Sequence, residues 1–181
     1  MKPNFTPDHS NRLTLRMLRV GDLEMTRNWR NHPDIRKHFF YDQVIEATNH
    51  LAWFQQYLSK AEELVFIFEH SASGEPIGQT SLYSIDPNQQ TATFGRFMIG
   101  ESKFRGRGFG TESLALTCRI GFRQIDLQTI TLEVKPENTI AIASYMSVGF
   151  TISETTPTTV SMILTSDDFK QHEDTFFNEV S

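Results

Sequence analysis

The sequence predicts an α/β protein, α+β in the way it groups its elements, with a mixed central sheet and helices on both faces. Three observations lead there. Three apolar-rich extended stretches follow one another, Leu64 to Glu69, Ile77 to Ile85 and Thr91 to Ile99. Short turns join them, Gly74-Glu75-Pro76 and Asp86-Pro87-Asn88, which reads as an antiparallel meander. After the meander, helical and extended patterns alternate. A meander followed by β-α-β-α needs both antiparallel and parallel neighbours, hence a mixed sheet.

Residues 1–11 carry two prolines and mostly polar side chains. They are expected to form a loosely ordered lead-in to a single domain spanning 1–181. Leu13 to Leu18 alternates and reads as the first strand. Asp22 is placed as the N-cap of a helix to about Arg30, with Met25 and Trp29 on one face. Pro33 interrupts it, and Asp34 is expected to open a short helix through His38. Thr48 is read as the cap of a third helix whose buried stripe is Leu51, Phe54 and Leu58, with Trp53 and Tyr57 beside it.

After the meander, Thr111 to Phe122 is helical, and Leu114, Cys118 and Phe122 face the sheet. That makes Cys118 a small core residue rather than a nucleophile. Thr129 to Val134 is a strand, and Asn138 caps a helix that Gly149 ends. Phe150 to Ser153 and Val160 to Thr165 close the sheet. Asp167 is expected to cap a final helix or tail carrying Phe169, Phe176 and Phe177.

Composition excludes several classes. A hydrophobic share of 38% with 15 Phe suits a globular chain of 181 residues. The net charge of −5 gives no bulk electrostatic case for nucleic acid or an anionic membrane. The apolar run Leu64 to Phe68 is far too short to span a bilayer. Met1 to Thr6 lacks the apolar core of a signal peptide, and the single cysteine cannot form an intrachain disulfide, so the expected compartment is the cytoplasm. The six histidines show no metal-ligand spacing, and no metal is expected.

The stretch that carries chemistry is Arg105-Gly106-Arg107-Gly108-Phe109-Gly110, between a strand and a helix. Glycines let the backbone approach a ligand closely, and the helix start at Thr111 offers unpaired N–H groups and a positive dipole end. Arg105 and Arg107 add cationic donors suited to phosphate. The stretch lacks the Gly-Lys-Ser/Thr ending of a P-loop, and its third glycine is misplaced for a dinucleotide fingerprint. Taken alone, it also fits an ordinary strand–helix turn.

Together, two features resemble the GCN5-related N-acetyltransferase (GNAT) superfamily. Arg105 to Gly110 satisfies its Arg/Gln-x-x-Gly-x-Gly/Ala acetyl-CoA signature. Downstream, Asn138, Tyr145 and Gly149-Phe150 follow in the family's order. Asn28 to Arg36 and His50-Leu51-Ala52-Trp53-Phe54 resemble the branch holding RimJ/RimL-type ribosomal-protein acetyltransferases. Within it they look nearest to PseH-like acetyltransferases of nucleotide-linked 4-amino sugars. The resemblance implies a sheet of about six to seven strands, with a V-shaped splay between the two strands flanking the glycine turn. It also allows a homodimer, through the meander edge or the phenylalanine-rich tail.

The reaction so implied is direct transfer of acetyl from acetyl-CoA to a primary amine. The turn from Arg105 to Thr111 and Asn138 would hold the cofactor, with amides near Phe97, Met98 and Ile99 polarising the thioester carbonyl. Tyr145 would protonate the leaving thiolate. An alkylamine with a pKa of roughly 10.4 must also lose a proton. Glu133, pointing opposite Leu132 and Val134, is the first candidate base, with Glu101 or a histidine as alternatives. Trp29, Arg30, His50 and Trp53 would form the acceptor pocket, the aromatics stacking on a base or sugar and the arginine holding a diphosphate. The two tryptophans equally suit a core between helices. The other acceptors considered are a ribosomal-protein N-terminus, a polyamine and an aminoglycoside. A reading of another class is a CoA-binding module or sensor without turnover.

Overall fold

The structure, a computed structural model, describes residue 2 and residues 5–177. Its strands are β1 (Asp8–His9), β2 (Leu13–Met17), β3 (Leu64–His70), β4 (Glu75–Asp86), β5 (Thr91–Ile99), β6 (Thr129–Val134), β7 (Thr151–Thr155) and β8 (Val160–Thr165). Its helices are α1 (Leu23–Asn31), α2 (Pro33–Arg36), α3 (Ala47–Ser59), α4 (Phe109–Gln124), α5 (Thr139–Val148) and α6 (Ser166–Phe177). The strands form one sheet in the order β1-β2-β3-β4-β5-β6-β8-β7. Only β5 and β6 run parallel among the paired strands described.

Both sheet faces are covered. Leu64, Phe66 and Phe68 of β3 join the main core with α4, while Val65 and Ile67 on its other face meet Phe54 and Tyr57 of α3. Burial on both sides explains why β3 reads as an unbroken apolar run. The core with Trp29, Ile35 and Met98 seats α1 and α2 on the same side as α3.

The sheet parts between β5 and β6. Pairing covers only Thr91–Thr93 against Thr129–Thr131, although β5 continues to Ile99 and β6 to Val134. β5 also bulges just past the last pair. Gln79 opposes Met98 and Ser81 opposes Gly95, so Thr80 faces two residues, Arg96 and Phe97. Arg96 sits at φ 48, a left-handed conformation that costs a non-glycine residue about 1–3 kcal/mol.

Several expectations are corrected. Eight strands stand where about six to seven were expected, because the lead-in supplies β1. Its described residues, 2 and 5–11, are docked rather than loose, and residues 1, 3 and 4 lie outside the described residues. Asp8 pairs with Arg119 at 2.6 Å, and the Phe5 ring lies 5.1 Å from that of Phe66. Charge pairing holds it, which apolar patterning does not register. The His32 side chain, not Asp34, caps α2, and Glu46 rather than Thr48 precedes α3. In α3, Leu51 and Leu58 are 45% and 58% exposed, and the buried strip is Phe54 and Tyr57. A helix that is apolar on several sides does not reveal by periodicity which side meets the sheet. The meander lies inside the sheet, so its β3 side has no free edge, and Phe176 and Phe177 pack on the chain's own core.

Candidate active site

A cavity of ≈ 1040 Å³ lies along the β5–β6 split and under the segment between α2 and α3. The glycine turn closes one end. Gly106 and Gly108 have φ 68 and 82, conformations that admit glycine without strain. Gly108 is the N-cap of α4 and offers no side-chain cap, and the first helical bond runs from Glu112 N–H to Gly108 O. The N–H groups of Phe109, Gly110 and Thr111 are thus the helix's unpaired donors. Gly110 is closely packed as well, since a Cβ there would come within 3.1 Å of the Phe97 ring and push it by a few tenths of an ångström.

The side chains of the turn behave differently from expectation. Arg105 folds back, donating from Nε to Ile99 O at 3.1 Å and from Nη2 to Gly100 O at 3.2 Å. It staples the turn to the end of β5 while still lining the cavity. Arg107 reaches Lys103 O at 3.4 Å and does not line the cavity. Phe109 is buried edge-on to Phe104, at 5.3 Å between ring centres, and its side chain does not line the cavity.

Phe97, Met98 and Ile99 all line the cavity, but their backbones face opposite ways. Gly100 N–H donates to Ile77 O in β4, while Ile99 O accepts from Arg105 on the other side. Strand alternation then turns the Phe97 and Ile99 amides into the split and the Met98 amide toward β4.

Across the split, Asn138 caps α5, its Oδ1 accepting from Ala141 N–H at 3.4 Å. Two turns on, Tyr145 is 7% exposed, edge-on to Phe94 and Phe150. Its hydroxyl makes no hydrogen bond, to backbone or side chain, among the described residues, and the residue lines the cavity. Burial pushes its pKa well above the ordinary phenol value, so the proton stays on at neutral pH. Cys118, buried in the core, is likewise pushed up and stays a thiol. Glu133 is exposed at the cavity's β6 wall. Glu101 is not part of the cavity, its Oε1 accepting from Trp29 Nε1 at 2.9 Å.

Of the four acceptor-side residues, Arg30, His50 and Trp53 line the cavity and Trp29 does not. The Trp29 indole lies against Gly100, where a Cβ would come within 2.0 Å of it, and it fills the third core. His50 stacks on Trp53 at 5.2 Å, with Nε2 3.2 Å from Thr26 Oγ1. Burial, then the Arg27 charge, lowers its pKa. Arg30 is 9% exposed. Its guanidinium lies 3.8 Å over the Phe39 ring and donates from Nη2 to Tyr41 O. Its buried Nη1 has no partner among the described residues. Lys37, Arg96 and Arg105 also line the cavity; Lys37 pairs with Asp34 at 3.7 Å and Arg96 with Glu63, which leaves Arg30 and Arg105 against Glu133. A chain of net charge −5 therefore keeps an excess of cations here.

Sequence reasoning missed two supports. Arg12 pairs with Glu112 at 2.5 Å and donates from Nη1 to Arg107 O at 3.1 Å, so the residue leading into β2 braces the glycine turn. No local pattern links residues 100 positions apart. Arg96 pairs with buried Glu63 at 2.6 Å. Here a signal existed, since Gly95 inside a strand marks a bulge. Among the described residues no group of three or more His, Cys, Asp or Glu comes together to hold a metal, and no helix is long and apolar enough to cross a membrane.

Comparison with known proteins adds a family to this geometry. The family model described as the acetyltransferase (GNAT) domain matches residues 12–151. A spermidine N(1)-acetyltransferase of Escherichia coli K12 is 26% identical over 141 residues, 76% of this chain and 72% of that one. The Vibrio cholerae spermidine N-acetyltransferase, solved with CoA and spermine, superposes with a TM-score of 0.80 at 23% identity, over 89% of this chain and 99% of that one. FdhC, a nucleotide-linked sugar GNAT solved in its apo form, also gives 0.80, at 19% identity over 97% of both chains.

Proposed function

The chain belongs to the acetyltransferase (GNAT) family, and on that premise we propose that it moves acetyl from acetyl-CoA to a primary amine on an anionic small molecule, such as a nucleotide-linked 4-amino sugar. The pyrophosphate of CoA lies on the N–H groups of Phe109, Gly110 and Thr111, with the α4 dipole behind them. The pantetheine arm takes the place in the split where β6 would otherwise pair with β5, near Asn138. The Phe97 and Ile99 amides polarise the thioester carbonyl. The amine nitrogen attacks the carbonyl carbon, the C–S bond breaks, and Tyr145 gives its proton to the departing thiolate. The proton lost by the amine passes to Glu133, which faces the cavity from β6.

The observation that carries the acceptor class is the unpartnered Arg30 Nη1. A buried guanidinium nitrogen lacking a partner is costly, and a phosphate or carboxylate on the acceptor would supply one for Nη1. The likeness to spermidine acetyltransferases supports a second reading, a polyamine acceptor. The cationic lining of the cavity weighs against a polycation and for an anion.

The test is free-thiol release from acetyl-CoA with a UDP-4-amino sugar, spermidine, an aminoglycoside and a ribosomal N-terminal peptide, alongside calorimetry of acetyl-CoA binding. Saturable release with the UDP sugar is expected. Release with spermidine alone would replace the acceptor assignment. Binding without release from any acceptor would favour a CoA-binding module, and absence of acetyl-CoA binding would overturn the whole reading.

A further inference from the structure

Arg96 breaks two habits of a strand at once. It holds a left-handed backbone, and it does so in a β-bulge three residues beyond Thr93, the last residue of β5 paired with β6. Its side chain is held on several sides. Nη1 lies 2.6 Å from Glu63 Oε1 and 3.5 Å from Ser81 Oγ. The guanidinium carbon is 5.6 Å from the Trp53 ring and 5.2 Å from the Tyr83 ring. Glu63 is 3% exposed. Its Oε1 meets Arg96 off the N–H direction, so the contact is charge pairing rather than an aligned hydrogen bond. Ser84 makes the contrast. It also takes positive φ, at 51, inside β4, yet it is exposed, lies outside the cavity and has no charged side chain to be clamped.

We propose that Glu63 is a positioning residue. Through its ion pair with Arg96 it holds the β5 bulge, and so keeps the Phe97 amide aimed into the split. The inference rests on the acetyl-CoA reading above. A pair with one buried partner adds little net stability over an apolar replacement, but removing Glu63 leaves Arg96 without its counter-charge and its anchor. Glu63 lies between α3 and β3, so this pair also ties the acceptor wall of the cavity to the strand that polarises the thioester.

Glycine at position 96 should act as a rescue. Only a residue with a Cβ needs help to stay at positive φ, so glycine at position 96 makes the clamp unnecessary. The readout is the carbonyl stretch of [1-13C]acetyl-CoA bound to the full chain, which needs no acceptor. Wild type is expected to lower the stretch relative to free acetyl-CoA. Glu63→Gln and Arg96→Ala should lose most of that shift, with acetyl-CoA affinity by calorimetry within about 2-fold of wild type. Arg96→Gly and the Glu63→Gln/Arg96→Gly pair should recover it. A full shift in Glu63→Gln, or no recovery in the double variant, would overturn the proposal while acetyl-CoA binding keeps the donor assignment. Failure of wild type to bind acetyl-CoA would instead sink the reading on which it rests.

Discussion

The two walls of the cavity are made of different materials. The wall proposed for the donor, from β5 through the glycine turn to α5, is assigned mainly backbone groups: the amides of Phe97 and Ile99, the first turn of α4, and, among the lining hydroxyls of Thr111, Ser144 and Tyr145, one proposed to act, that of Tyr145. The acceptor wall, from α1 to α3, presents side chains on helices and on the segment joining α2 to α3: Arg30, His50 and Trp53. Backbone donors are fixed by secondary structure and suit the constant parts of a cofactor. Side chains can be exchanged without disturbing the fold, and suit a variable acceptor.

That contrast is open to attack, and the hardest blow falls on the donor wall. Gly108→Val puts a β-branched residue at φ 82 and a Cβ 3.3 Å from Arg12 Nη2. It should lower acetyl-CoA affinity at least about 100-fold by calorimetry, since several charge-assisted bonds of about 1.5–3 kcal/mol are lost together. Unchanged affinity would mean the turn is only a connector. Tyr145→Phe should reduce kcat by about 100-fold, at the lower end of general-acid effects, with acetyl-CoA affinity nearly unchanged. Equal turnover would remove the phenol as the acid and leave the donor wall purely backbone.

Substitutions on the acceptor wall should divide differently. Arg30→Met should raise KM for an anionic acceptor by about 10-fold or more, the loss of one charge-assisted bond, while acetyl-CoA binding stays as it was. Because Nη1 is buried without a partner, this variant should keep its melting temperature or gain slightly. If it instead improves turnover of spermidine, the polyamine reading gains and the wall's positive charge becomes a barrier to the natural acceptor.

The donor wall was also the more legible in sequence, for the same reason. Glycines at 106 and 108, an N-cap at Asn138 and a C′ glycine at 149 are local backbone signals, and the structure places each where its conformation requires. Side-chain destinations were less legible. Arg105 looked like a phosphate ligand but staples β5, and Trp29 looked like a pocket aromatic but fills a core. In α3, Leu58 looked buried and is 58% exposed, while Tyr57 beside it is 1% exposed. Each of these depends on which neighbour folds against it, and the contacts of Arg12 with Glu112 or Glu63 with Arg96 join segments far apart in the chain.

The smallest expected effect separates the walls by pH. On the donor wall, Tyr145 has a pKa raised above the ordinary phenol value, so any stability it carries is present below about pH 10 and is constant near neutrality. On the acceptor wall, burial and Arg27 lower the pKa of His50 from the 6.5 of an open chain. In the window between the two values the unfolded chain binds the proton and the native ring does not. Stability linked to His50 is therefore fully present above pH 6.5 and is lost as pH falls through the native value. His38 is shifted the same way by burial and by Lys37 and Lys135, so wild type alone reports a sum. The informative quantity is the difference in melting temperature between wild type and His50→Gln. It should shrink between pH 7.5 and 5, as the unfolded chain takes up a proton that the native ring does not. A difference that stays constant with pH would mean that the ring titrates in the native state as it does in the open chain. The stacking on Trp53 would then not amount to burial, and the acceptor wall would be wetter than its geometry implies.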